Sequence, residues 1–147
     1  MADKVVDALK WIKSILDKNT MDYQIVGGLA AVIHGGSRPV ADIDLYVPKE
    51  SGRKLANLLK QYISKPLVHY KESGWDLEYF QIIYHGQKIE LGLSPGTRIL
   101  DRATGEWIEL HIDFSASILG EYKGVEVPVI PKTELIAYKS IWLVKLI

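Results

Sequence analysis

The chain of 147 residues carries 18 lysines and arginines against 18 aspartates and glutamates, and 48% of its residues are apolar. This length and apolar content predict one folded domain over residues 1–147. The neutral charge balance excludes a strong overall attraction to nucleic acid or to an anionic membrane. The absence of cysteine excludes disulfides and thiolate metal sites, so a metal ion must be held by oxygen or imidazole ligands.

The start of the chain passes directly into an amphipathic segment, without the pattern of a signal peptide. No apolar run in the sequence reaches the ~20 residues that a membrane-spanning helix needs. On these two observations we expect a cytoplasmic protein with no membrane partner.

Helical and extended patterns alternate along the chain. Apolar residues recur at helical spacing from Lys4 to Asp17 and from Lys49 to Ile63, which predicts two amphipathic helices. Between them, a strand from Tyr23 to Val26 leads through a glycine pair into an alanine-rich helical turn, and a second strand ends at Pro48. Further strands are predicted at 77–84, 87–93, 97–100, 107–112 and 125–130, with at most one short strand in 65–74, before a final helix at 131–146. This order predicts an α/β (α+β) fold, a mixed twisted sheet of about five strands with helices mainly on one side.

The glycine pair, Gly27 and Gly28, lies where the first strand meets the helical turn. Glycine lets the backbone approach a ligand closely, and the start of a helix offers unpaired N–H groups and a positive dipole end to an anion. The pair therefore predicts a cradle for phosphate groups. A plain tight turn is the alternative.

Two aspartates alternate with apolar residues on the second strand. Because residues two apart on a strand share a face, Asp42 and Asp44 are predicted on one face while Ile43 and Leu45 pack on the other. Positions two apart are separated by ~6.6 Å, so their carboxylates can converge on cations ~3.5–4 Å apart, the spacing of two-metal phosphoryl transfer. The pattern predicts a divalent-metal platform. Two solvated aspartates at a strand end are the alternative.

The glycine pair, the helical turn, the loop with Arg38 and the Asp42-x-Asp44 strand together resemble the motif of the DNA polymerase beta-like nucleotidyltransferase superfamily. The similarity is greatest to its small, mostly prokaryotic stand-alone members. It implies transfer of a nucleotidyl group from a nucleoside triphosphate to an acceptor hydroxyl, with Mg²⁺ (or Mn²⁺) and release of pyrophosphate. It also implies that Asp42 and Asp44 are catalytic metal ligands, and that Gly27 and Gly28 hold the β- and γ-phosphates.

Enzymes of that superfamily use a third carboxylate from a neighbouring strand, and two downstream acids are candidates. Glu90 lies on a strand that follows a hairpin glycine and whose opposite face is aliphatic, similar to the third acidic strand of the family. Asp113 is the shorter residue type that is more usual there, but shares its face with Trp107 and His111. Motif placement favours Glu90 as the third catalytic metal ligand. The alternative roles are a cross-strand partner of a lysine for Glu90 and a turn cap for Asp113.

Two basic residues are candidate nucleotide ligands. Arg38 lies four residues before Asp42, and its guanidinium suits a phosphate clamp, with a surface charge as the alternative. Segment 127–139, in which a strand and a turn lead into a helix carrying Lys139, resembles the end of many small nucleotidyltransferases. The resemblance implies that Lys139 reaches the triphosphate or the acceptor. An exposed helix lysine is the alternative.

The identities of the acceptor and of the nucleotide stay open. Superfamily members modify small molecules such as aminoglycoside or lincosamide drugs, transfer RNA ends, or proteins in toxin and antitoxin systems. Neutral charge argues against a long nucleic-acid acceptor. The alternatives to a small-molecule enzyme are a toxin/antitoxin-type enzyme acting on tRNA or protein, and a non-catalytic nucleotide-binding module with the same fold. The apolar final helix predicts contact with a protein partner or a second copy of the chain.

Overall fold

The computed structural model describes residues 3–143. Within this range the chain forms four α-helices, nine strands and two short 3₁₀ turns. The helices are α1 (Lys4–Lys18), α2 (Gly27–Ile33), α3 (Lys49–Leu58) and α4 (Lys132–Leu143). The strands are β1 (Gln24–Val26), β2 (Ile43–Pro48), β3 (Ile63–Glu72), β4 (Trp75–Tyr84), β5 (Gln87–Ser94), β6 (Arg98–Asp101), β7 (Glu106–Glu109), β8 (Ile118–Tyr122) and β9 (Val125–Val129).

All nine strands belong to one mixed sheet with the order β7-β6-β4-β5-β2-β1-β9-β8, and β3 pairs with β4 beside that path. Strands β2 and β5 are parallel, whereas β1 is antiparallel to β2 and parallel to β9. Strand β4 forms antiparallel pairs with β3 and β5. Strands β1, β2 and β5 are therefore neighbours at the centre of the sheet. They carry or adjoin the glycine pair, the two aspartates and Glu90.

One face of the central strands is covered by helices. Their inward side chains are at most 1% exposed, and comprise Ile43, Leu45, Val47, Ile89, Leu91 and Leu93. Helix α3 packs so closely that a Cβ on Gly52 would lie 2.6 Å from the side chain of Leu93. Asp3 caps the start of helix α1, because its carboxylate accepts hydrogen bonds from the N–H groups of Val5 and Val6. The helix packs against β5 and β9. The opposite face of β2 and β5 lines a cavity to which residues of α4 also contribute.

The α/β (α+β) class and the mixed sheet are confirmed, but the expected number of about five strands is wrong. Strand β3 is a ten-residue strand where at most one short strand was predicted, and β8 was not predicted. Most side chains of β3 are exposed, and β8 is an edge strand with Ile118 and Leu119 exposed. A strand with no buried face shows no apolar alternation, so the pattern on which the prediction relied is absent there.

The helix ends also differ from the sequence prediction. Helix α3 ends at Leu58, and a 3₁₀ turn at Lys60–Tyr62 completes the segment that was predicted as one helix to Ile63. Helix α4 begins at Lys132, and the part of its prediction at 144–146 lies outside the described residues. None of the helices within residues 3–143 is long and apolar enough to span a membrane.

Candidate active site

Asp44 and Glu90 lie side by side on the same face of the sheet. They are cross-strand partners in the parallel pair β2 and β5, while the next residues, Leu45 and Leu91, turn into the core. Because successive side chains of a strand point to opposite faces, this register fixes both carboxylates on one face. The structure thus brings together two of the three acids that the sequence indicated for a metal platform.

Asp42, the other aspartate of the Asp42-x-Asp44 pair, lies immediately before β2 and is partly exposed. Burial of Asp44, and then the negative charges of Glu90 and Asp42, raise the pKa of Asp44 to about 7. The two charged groups that raise this pKa, Glu90 and Asp42, are both acids. The site therefore concentrates negative charge, and Asp44 titrates close to neutral pH.

These three acids offer the hard oxygen donors that Mg²⁺ and Mn²⁺ prefer. Among residues 3–143, no three or more histidine, aspartate or glutamate side chains stand in a group already arranged to hold a metal ion. The chemistry of the donors nevertheless fits a divalent cation, because a positive charge beside Asp44 would offset the repulsion that raises its pKa.

Gly27 touches the acid site through its backbone. Its φ is +65°, and a Cβ at this position would lie 2.4 Å from Oδ2 of Asp44. Glycine alone takes this backbone conformation readily and leaves room for the carboxylate. Gly28 is different, since it is exposed and a Cβ there would meet none of the described atoms within 4 Å. The two glycines were predicted to form one cradle, but only Gly27 has a backbone conformation and a close contact that require glycine.

The backbone N–H of Gly27 donates a hydrogen bond to the hydroxyl of Tyr138 on α4, at 3.1 Å. Burial, with the negative charge of Asp44 adding to it, raises the pKa of Tyr138 to about 12. Tyr138 therefore stays a neutral phenol that ties α4 to the start of α2. Segment 127–139 contains Tyr138, but the sequence did not single it out, because its partner Gly27 lies 111 positions away. An anion that binds the Gly27 N–H has to displace this hydroxyl.

Glu90 is oriented by a short chain of hydrogen bonds that the motif did not include. Nε2 of Gln81 donates to Oε1 of Glu90 at 3.1 Å, and the hydroxyl of Ser64 donates to Oε1 of Gln81 at 2.9 Å. Gln81 is buried on β4, where it is the cross-strand partner of Glu90. Because both ends of its amide are bonded, Gln81 has a fixed orientation and in turn fixes one oxygen of the Glu90 carboxylate.

If Glu90 holds Mg²⁺, Gln81→Met should raise the Mg²⁺ concentration needed for half-maximal thermal stabilisation of the protein by about tenfold or more. Methionine fills a similar volume but donates no hydrogen bond, so Glu90 loses its restraint. Ser64→Ala is the matched control. It leaves the Gln81 donor in place, and its shift should be smaller and in the same direction. An unchanged Mg²⁺ requirement in Gln81→Met would contradict the orienting role.

A cavity of about 440 Å³ opens over these residues, within the ~300–1,000 Å³ range of small-molecule sites. Its lining includes Gly27, Asp44, Glu90, Tyr138 and Lys139. Much of the remaining lining is aromatic or apolar and comes from β3 and β4. Asp44 and Glu90 thus face the same cavity, and Lys139 adds a positive charge to it.

Four candidates from the sequence are not among the residues that line this cavity, namely Gly28, Arg38, Asp42 and Asp113. Arg38 is exposed on the loop between α2 and β2. Asp113 is also exposed, and its carboxylate accepts hydrogen bonds from the hydroxyl and the N–H of Ser115, which hold its pKa below the usual value. Asp113 therefore caps the turn Phe114–Ala116. Of the two candidate third carboxylates, Glu90 is the one beside Asp44.

The sequence matches no family model and no curated protein. Among solved structures, the chain is similar to a candidate nucleotidyltransferase from Thermotoga maritima (TM1012), with a TM-score of 0.78 and 20% identity over 97% of this chain and 87% of that one. The chain has the nucleotidyltransferase fold.

Two further structures share the nucleotidyltransferase fold of this chain at 14% identity. One is ANT(2″)-Ia in complex with adenylyl-2″-tobramycin, with a TM-score of 0.62 over 97% of this chain and 78% of that one. The other is the lincosamide antibiotic adenylyltransferase LnuA bound to lincomycin, with a TM-score of 0.57 over 88% of this chain and 82% of that one. Likeness at these identities concerns the fold, so the chemistry has to be argued from the residues of this chain.

Proposed function

We propose that this protein is a metal-dependent nucleotidyltransferase, which moves a nucleoside monophosphate from a nucleoside triphosphate to an acceptor hydroxyl. The observation that carries the proposal is the pairing of Asp44 with Glu90 in the lining of the cavity, in contact with Gly27. The similar structures support the reaction class, since one is an adenylyltransferase and another holds an adenylylated tobramycin.

In this proposal Asp44 and Glu90, with Asp42 at the edge of the site, hold the divalent cations. Bound there, the cations neutralise the charge that develops on the phosphate oxygens. Asp44 has to be ionised to act as a ligand, and its pKa is about 7. The affinity of the site for metal should therefore rise with pH through neutrality.

The acceptor hydroxyl attacks the α-phosphorus in line with the leaving group. A P–O bond to the acceptor forms while the bond from the α-phosphorus to the bridging oxygen breaks, and pyrophosphate leaves with that electron pair. A carboxylate oxygen of Glu90 accepts the proton of the acceptor. The Lys139 ammonium stabilises the triphosphate, as do the backbone N–H of Gly28 and, once the triphosphate displaces the Tyr138 hydroxyl, the N–H of Gly27. Arg38, exposed outside the cavity, is given no role.

We expect ATP to stabilise the protein against thermal unfolding only when Mg²⁺ or Mn²⁺ is present. A ligand at about 100 times its dissociation constant adds roughly 2.7 kcal/mol to the free energy of unfolding. The measurement is a thermal unfolding series with ATP, with metal, and with both. Equal stabilisation by ATP in the presence of a metal chelator would favour a non-catalytic nucleotide-binding module.

The reaction itself is tested by incubating the full chain with Mg²⁺ and each α-labelled nucleoside triphosphate, together with fractionated cell extract. The expected result is release of pyrophosphate and transfer of the label to one fraction. Sensitivity of the labelled product to ribonuclease or protease would identify an RNA or protein acceptor. Absence of pyrophosphate release with every triphosphate and every fraction would remove the proposal.

A further inference from the structure

The cavity has one lining feature that the proposed chemistry does not use. Tyr70 on β3 and Trp75 and Tyr79 on β4 line it, and all are partly buried. The rings of Tyr70 and Tyr79 pack against each other, with centroids 4.5 Å apart. We call these three residues the aromatic wall. They present ring faces and edges to the same space that holds the acids.

The register of the sheet fixes where the aromatic wall stands relative to the acids. Tyr46, Gly92 and Tyr79 are partners across β2, β5 and β4, one side-chain step beyond the row that holds Asp44 and Glu90. Because β2 and β5 are parallel, this step leads toward the C-terminal ends of both strands. Gly92 has no side chain, and the ring of Tyr46 lies over it, since a Cβ there would lie 2.5 Å from Cε1 of Tyr46. The Tyr46 ring therefore fills the space over Gly92 in the row of Tyr79, and Glu90 lies one side-chain step away.

The phosphate side of the site lies in the other direction. Val26 pairs with Asp44, and since β1 is antiparallel to β2, Gly27 lies toward the beginning of β2. In an in-line displacement the leaving pyrophosphate and the attacking oxygen are on opposite sides of the α-phosphorus. With pyrophosphate on the Gly27 side, the attacking oxygen comes from the side of Glu90 and the aromatic wall.

Resting on the proposed function, we propose that the aromatic wall is the acceptor subsite, and that the acceptor is a small hydroxylated molecule with a planar apolar ring. The ring stacks on Tyr79 and Trp75, which places its hydroxyl group over Glu90. The cavity volume of about 440 Å³ suits one such molecule.

The experiment uses the full chain and two uncharged glucosides. They differ only in the group on the anomeric oxygen, which is an aromatic ring in one and a methyl group in the other. The first is 4-nitrophenyl β-D-glucoside and the second is methyl β-D-glucoside, both titrated by calorimetry without nucleotide. We expect the nitrophenyl compound to bind at least about tenfold more tightly, because its aromatic ring can stack on the wall and the methyl group cannot. Binding of both glucosides with equal affinity, or of neither, would overturn the proposal.

Variants of the wall decide whether the rings are responsible. Tyr79→Ala is expected to weaken binding of the nitrophenyl glucoside about tenfold, whereas Tyr79→Phe, which keeps the ring, should bind it as the native protein does. Trp75→Ala should lose affinity as well. Its matched control is Trp107→Ala, since Trp107 packs under Lys71 and Arg98, away from the cavity lining. Equal affinity in Trp75→Ala and Trp107→Ala would contradict the assignment, provided that circular dichroism shows both variants folded.

One competition experiment and one binding experiment separate the acceptor subsite from other uses of the aromatic wall. A non-hydrolysable ATP analogue with Mg²⁺ should leave binding of the nitrophenyl glucoside intact. If the analogue displaces it, the wall binds the nucleobase and the acceptor assignment is wrong. If an oligoadenylate of ten nucleotides binds more tightly than the glucoside and is lost in Tyr79→Ala, the acceptor class is RNA.

Failure of this proposal and failure of the proposed function give different results. The glucoside titrations need no nucleotide and test the wall alone. Stabilisation by ATP with Mg²⁺ tests the metal and triphosphate site alone. A protein that shows the second result without the first keeps the proposed reaction and loses only the acceptor class.

Discussion

Replacement of Asp44 by asparagine is expected to abolish nucleotidyl transfer and, above about pH 7, to make the protein more stable. A carboxylate that holds a catalytic cation supports several kcal/mol of transition-state stabilisation, and each 1.36 kcal/mol corresponds to about tenfold in rate. Loss of that ligand should reduce the transfer rate about a thousandfold or more. Asparagine has the same shape but does not ionise, so the fold remains.

The gain in stability follows from the pKa of the aspartate. Burial, Glu90 and Asp42 raise the pKa of Asp44 from 3.8 to about 7, so between these values the folded state holds a proton that the unfolded state has released. The stability of the native protein therefore falls as pH rises through this window, and the full cost is present above about pH 7. A rise from 3.8 to about 7 corresponds to roughly 4 kcal/mol at most.

Urea unfolding at pH 5 and pH 8 measures this effect. The stability advantage of Asp44→Asn should be larger at pH 8, and saturating Mg²⁺ should stabilise the native protein and not the variant. Asp113→Asn is the companion variant, because Asp113 is an exposed turn cap and should keep full activity. Loss of activity in Asp113→Asn together with normal activity in Glu90→Gln would show that the third carboxylate was assigned to the wrong residue.

The centre of the site was predictable because it depends on short-range regularities. Asp44 alternates with Ile43 and Leu45, and such alternation assigns a face only when the strand is buried on its other side. Strand β2 lies at the centre of the sheet under the helices, so the pattern was informative there. The same applies to β5, whose buried Ile89 and Leu91 flank Glu90 in sequence.

What was missed depends on contacts between distant residues or on strands without a buried face. Gln81 gave no motif, yet its pairing with Glu90 and its bond to Ser64 orient a proposed metal ligand. Tyr138 is similar, because its role comes from the approach of α4 to Gly27. The aromatic wall lies partly on β3, whose exposed side chains obscured the strand itself. A local pattern of apolar residues reports which face of an element is buried, and it does not report which distant residues a side chain contacts.

Replacement of Gly27 by alanine is the second change with a large expected effect. At a φ of +65° an alanine costs about 1–2 kcal/mol of backbone strain. Its Cβ would also lie 2.4 Å from Oδ2 of Asp44 and 3.1 Å from the Cβ and Cγ of that residue, so the carboxylate has to move. Displacement of a catalytic group by about 1 Å is enough to cost about 100-fold in rate. Urea unfolding and the transfer rate should both show the loss.

Gly28→Ala separates this close contact from a general effect of removing glycine. Because a Cβ at Gly28 meets open space on a short helix, this variant should gain about 0.5–1 kcal/mol in stability. In the Asp44→Ala background, Gly27→Ala no longer meets Oδ2 or Cγ and keeps only the 3.1 Å approach to the Cβ of residue 44, so its cost should fall toward that of the backbone strain, and the two substitutions should be non-additive. If Gly27→Ala costs the same with and without the Asp44 carboxylate, the contact does not constrain the acid. The glycine would then be explained by the turn alone, and the coupling between the start of α2 and Asp44 would have to be given up.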